Sequence, residues 1–174
     1  MTHSSPDTLA LSRKVLRLLI KLNLLVGVLI LALLVTSIVV GDSVMRALTA
    51  GSPEANATLF MGMRLVALLG LCAIPVVHFI LSRILAIVDT VSVGNPFVMV
   101  NAARLQKIAW AVLALELMHF AVGAIAASVS TAAAPFDIDW KFSPTRWVAV
   151  LLLFVLARVF EQGARMREEL KGTV

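Results

Sequence analysis

Five ionisable side chains stand in or beside the long apolar stretches of this sequence, and any chemistry it performs would begin with them: His78, Glu116, His119, Arg158 and Glu161. Glu116-x-x-His119 sets a carboxylate and an imidazole one helical turn apart on one face. Di-iron helical bundles use that spacing, but they need the motif twice and two further carboxylates. His78 alone does not supply them, so no metal site is expected. Cys72 is the single cysteine, which rules out a Cys-based metal site and an intramolecular disulfide. The serines fall mostly at helix ends and in loops, without a base at fixed spacing, and no glycine-rich phosphate loop is present. The expectation is a protein with no catalytic residues and no cofactor.

The elements that must hold these groups are long apolar helices. Of the 174 residues, 60% are hydrophobic and 14% charged, against about 45–50% and 25% in soluble domains. One small core cannot hide that excess, and a lipid bilayer removes the need to. Leu22–Gly41 and Leu65–Ser82 carry no charge, and about 20 such residues span a membrane. A third run extends from about Ile108 to Ser130. A fourth, Trp147–Ala157, is too short alone and must continue through Arg158 and Glu161. The reading is an all-α, integral membrane four-helix bundle in one domain, 1–174, with helices near 15–40, 64–91, 102–130 and 145–169. Met1–Ser12 is read as disordered, and Asp42–Phe60 and Thr131–Thr145 as outer loops, the second bracketed by the interface anchors Trp140 and Trp147. Pro75 predicts a kink in the second helix. Gly123 and Ala127 offer a small-xxx-small packing stripe.

Charge sets the orientation. Eleven of the fifteen Lys and Arg residues fall at the two ends and the middle loop, and four on the other side. The richer side is the cytoplasm, so both termini are cytoplasmic. Arg13, Arg17 and Lys21 precede the first run on one helical face, where they can snorkel to headgroups. The net charge of +5 is spent on this asymmetry, and no basic patch carries the interleaved aromatics of nucleic-acid binding. At about 1.5 Å per residue, His78, Glu116, Arg158 and Glu161 all lie about 18–22 Å from the outer helix ends. The third and fourth helices form an antiparallel hairpin, which makes Glu116 and Arg158 neighbours. The expectation is a buried Glu116–Arg158 pair with His78 and His119 around it. Helix glue, at about 0.6–2 kcal/mol per contact, a proton or ion relay, a small polar ligand site and a metal site are the alternative roles.

Between the second and third helices stands Gly94-Asn95-Pro96-Phe97-Val98, then Asn101-Ala102-Ala103-Arg104-Leu105. Pro96 fixes the chain and removes a donor, Phe97 can dock on the bilayer surface or on the tail of the fourth helix, and Asn101 is a candidate N-cap. Gly94 and Gly163 read as helix terminators or close-packing positions. This segment, with the ending Leu156-Ala157-Arg158-Val159-Phe160-Glu161-Gln162-Gly163-Ala164 through Glu168-Glu169 to Thr173-Val174, resembles DUF2975, a family of small bacterial four-helix membrane proteins of unknown function. The resemblance implies the bacterial cytoplasmic (inner) membrane, multi-pass. Members often neighbour small helix-turn-helix regulators, which implies a cytoplasmic transcriptional regulator as partner.

The expected function is therefore a non-enzymatic membrane protein that senses for, or sequesters, such a regulator through Asn95–Arg104 and Glu161–Val174. The alternative is a small transporter or channel subunit, a homo-oligomer whose path is lined by His78, Glu116, His119 and Arg158. Lipid is a partner in either case, and direct nucleic-acid contact in neither.

Overall fold

The computed structural model describes residues 6–41, 53–129 and 143–172. They form four helices, α1 (Pro6–Val39), α2 (Pro53–Ser92), α3 (Met99–Val129) and α4 (Pro144–Gly172), with no strand among the described residues. The fold is all-α, as expected, and each helix is long and apolar enough to cross a membrane. At most 17% of the most apolar stretch of each helix is buried. Side chains such as Leu18, Leu33 and Leu151 are more than 60% exposed, which water would not tolerate over four helices.

The helices begin earlier than expected, for a reason readable at their first residues. α1, α2 and α4 each start at a proline, whose missing N–H falls among the donors a first turn leaves free. Residues 6–12, expected to be disordered, are thus helical, and the Ser12 hydroxyl turns back on the Thr8 carbonyl at 2.9 Å. Residues 53–60, expected to be loop, are the first turns of α2. α2 continues through Pro75. Residues 1–5, the loop residues 42–52, 130–142 with Trp140, and Thr173 and Val174, for which the sequence also sets expectations, lie outside the described residues.

The chain divides into two compact units. One comprises residues 1–23, 76–114 and 143–174. Four of its seven buried apolar positions are alanines: Ala102 and Ala109 on α3, beside Leu105 and Ile108, and Ala157 and Ala164 on α4, beside Val150. The seven-residue repeat on α4 is that of helices meeting along a seam, and alanines there let backbones approach closely. Trp110 and Phe154 meet edge to face across this pair of helices, centroids 5.3 Å apart.

The other unit comprises residues 24–75 and 115–142. Gly27 and Leu34 on α1, and Gly41 just past its end, are buried, again seven residues apart. A Cβ at Gly27 would lie 3.0 Å from Ile74 Cγ2. One at Gly41 would lie 2.7 Å from an Arg64 nitrogen. Arg64 uses that space to donate to the Ser37 carbonyl at 2.6 Å. A cation in the last turn of α1 meets the negative end of the helix dipole. On α3 the buried small residues are Gly123 and Ala126, while Ala127 is exposed. The expected Gly123/Ala127 stripe is therefore shifted to an i, i+3 pair.

Candidate functional site: the α2–α3 elbow

α2 stops because Gly94 adopts φ +80, a region closed to most residues with a Cβ. The Gly94 N–H donates to the Val91 carbonyl at 2.9 Å and the Asn95 N–H to the Thr90 carbonyl at 3.2 Å. This is the paired closure of a Schellman cap. Pro96 follows and cannot extend the helix. The next helix opens at Met99, with the Asn101 N–H donating to the Val98 carbonyl at 2.9 Å.

Val98, not Asn101, therefore holds the N-cap position. Asn101 is the third residue of α3, and its side chain is the largest fully buried one. Its Nδ2 donates to the Pro96 carbonyl at 2.9 Å. Its Oδ1 accepts from Arg104 Nη1 at 2.9 Å. The same Arg104 nitrogen reaches Thr90 Oγ1 at 2.8 Å and the Ala86 carbonyl at 3.0 Å. Two N–H groups are shared among three acceptors there. Thr90 Oγ1 lies 2.6 Å from the Ala86 carbonyl and 3.2 Å from Asn101 Oδ1. Its one proton goes to the nearer acceptor. Arg104 thus ties the end of α2 to the start of α3.

Two further helices clamp the elbow. On α4, Arg167 Nη2 donates to Asn95 Oδ1 at 2.8 Å. Phe97 packs on Phe160, ring centroids 5.2 Å apart. It also fits against Gly163, where an added Cβ would come within 3.0 Å of Phe97 Cδ1. Of the two docking places considered for Phe97, the structure uses α4, and Gly163 is a close-packing glycine within α4 and not a terminator. From α1, Arg13 Nε lies 2.7 Å from Asp89 Oδ1, and its Nη2 donates to the Ser92 hydroxyl. Arg13 is half-buried in this ion pair, while Arg17 and Lys21 are exposed, so the three basic residues do not act as one snorkelling group.

The intramembrane residues sort differently. Arg158 and Glu161 come together on α4 at 3.2 Å, and Arg165 joins the same carboxylate at 2.7 Å. His78 belongs to the first unit, Glu116 and His119 to the second. His78 Nδ1 and His119 Nε2 are buried with no hydrogen-bond partner among the described residues. The pairing of Glu116 with Arg158 remains an expectation. No group of three or more metal-ligating side chains occurs among the described residues.

The elbow contacts that sequence reasoning missed are Arg13–Asp89, Thr90 and Arg167–Asn95. Asp89, the lone acid between Arg83 and Arg104, was the one visible signal for a partner.

Four membrane-length helices with a side-chain lock between the middle two define the class, an all-α bundle. The chain belongs to the family described as "Protein of unknown function (DUF2975)", whose model matches residues 43–174. The match takes in the elbow, α2, α3 and α4, and α1 precedes it. No curated protein and no solved structure matches the chain.

Proposed function

We infer that this is a multi-pass protein of the bacterial inner membrane, its elbow and the end of α4 cytoplasmic, and that it binds a cytoplasmic protein and does not catalyse a reaction. The observation that carries this reading is the elbow's division of labour. Inside, Asn101, Arg104 and Thr90 hydrogen-bond one another and the backbone. Outside, Val93, Phe97 and Val100 are 76%, 43% and 57% exposed, beside Asn95 and Arg167. Exposed apolar side chains on a rigid, basic mount suit a protein partner, because little ordering entropy is lost on binding. The helix-turn-helix regulator implied by the family resemblance is the partner to test. Affinity purification from gently solubilised native membranes should recover it in stoichiometric amount. Val93→Asp with Val100→Asp, which spares the lock, should lose it at unchanged thermal stability. A regulator retained by that double variant contradicts the reading.

The second reading, a transport path, draws on His119, whose buried Nε2 has no hydrogen-bond partner among the described residues and which shares a unit with Glu116. Its test is proton flux in sealed vesicles, which Glu116→Gln should abolish.

A further inference from the structure

The α3–α4 seam is tight where alanines meet and opens beside them into a groove of about 410 Å³. Trp110, Phe154 and Ala157 line its apolar part, and Gln106, Arg158 and Glu161 its polar part. Trp110 is 59% exposed, an amphipathic ring of the kind that sits at headgroup level. Arg158 is the first charge after the eleven uncharged residues Trp147–Ala157. Its side chain is 79% exposed, so on the membrane reading it faces lipid.

Arg158 shares its carboxylate partner: Glu161 accepts from both Arg158 and Arg165. Arg158 is the arginine that lines the groove, and its planar guanidinium suits phosphate oxygens. The complement is a molecule with one negative charge and an apolar chain.

We propose that this groove binds one anionic phospholipid, with its phosphodiester on Arg158 and Gln106 and an acyl chain along Trp110 and Phe154. The proposal rests on the membrane placement inferred above. A zwitterionic lipid offers the same chain and phosphate, but its ammonium group meets Arg165 and Arg158 with the wrong sign. Glu161 tunes the site, because it competes with the phosphate for both arginines.

The test uses the full-length chain with Trp140→Phe and Trp147→Phe, which leaves Trp110 as the single tryptophan. It is reconstituted in bilayers containing brominated phosphatidylglycerol or brominated phosphatidylcholine, and Trp110 quenching is read at equal lipid fraction. Quenching should show a preference of about fivefold for the anionic lipid, the effect of one basic group at an anionic surface. Arg158→Gln should abolish the preference, Arg158→Lys should keep most of it, and Glu161→Gln should raise it. A gain in one variant and a loss in another cannot come from misfolding. Equal quenching by both lipids, unchanged in Arg158→Gln, overturns the proposal and leaves the membrane reading standing. Protein that does not float with the vesicles after an alkaline wash overturns both.

Discussion

Asn101 shows how far one residue's type carries and where it stops. Its place after the Asn-Pro-Phe turn marks it as part of the elbow. Its role as a bridge from the Pro96 carbonyl to Arg104 depends on Thr90, a residue eleven positions away that arrives only when α2 and α3 pack. A threonine inside an apolar helix gives no sign of such use. Asn101→Ala removes two hydrogen bonds from a fully buried place, while the Pro96 carbonyl keeps the Val98 N–H and Arg104 keeps Thr90 and the Ala86 carbonyl. The expected loss is about 1–3 kcal/mol, read from unfolding in detergent. Asn101→Asp should not rescue it, since the donor toward Pro96 becomes an acceptor. At Gly94 nothing lies within 4 Å of an added Cβ, so Gly94→Ala tests backbone conformation alone. The expected cost is about 1–2 kcal/mol, with no change in packing.

The helices were legible as apolar runs, and their faces were not. Along α1 the residues that are not exposed between Arg13 and Gly41 recur every three or four positions, and Gly27, Leu34 and Gly41 fall on a seven-residue repeat. That repeat stands in the sequence, but leucines on every side of α1 mask it, because lipid accepts what water would select against. The small residues of α3 were misassigned by one position for the same reason. Sequence spacing cannot separate Ala126 from Ala127 when both neighbours are equally apolar. Two glycines give a paired test of the α1–α2 contact. At Gly70 an added Cβ meets only Ile30 Cδ1 at 3.8 Å. Gly70→Ala should therefore stabilise by up to about 1 kcal/mol through helix propensity. At Gly27 the added Cβ meets Ile74 Cγ2 at 3.0 Å, and a β-branched side chain in a helix cannot rotate away. Gly27→Ala should lower the melting temperature, and Ile74→Ala in the same chain should recover part of the loss. Simple additivity of those two substitutions in unfolding experiments would show that they do not share a contact.

At the scale of the whole molecule, the fold class came from composition, and the distribution of fifteen basic residues sets the expected sidedness. The expected arrangement of intramembrane ionisable groups came from depth alone. Depth says nothing about rotation around a helix axis. Arg158 illustrates this: it pairs within its own helix and is exposed. Arg13 shows the reverse, a residue counted only for its charge that ties α1 to the end of α2. Arg13→Gln should loosen the entry to the elbow, read as faster amide exchange at residues 89–95 than in the parent chain.

On the function proposed above, the elbow and the end of α4 lie in the cytoplasm and α4 crosses the bilayer. α4 has 29 residues, about 43 Å of helix, long enough to span a membrane about 30 Å thick. The direct measurement is labelling of single cysteines by an impermeant maleimide in sealed right-side-out and inverted inner-membrane vesicles. The chains are Ser143→Cys and Glu168→Cys, each with Cys72→Ser. Position 168 should be labelled only in inverted vesicles and position 143 only in right-side-out ones. Labelling of both positions from one side would contradict the crossing, and labelling of 168 only from outside would place the elbow away from any cytoplasmic partner.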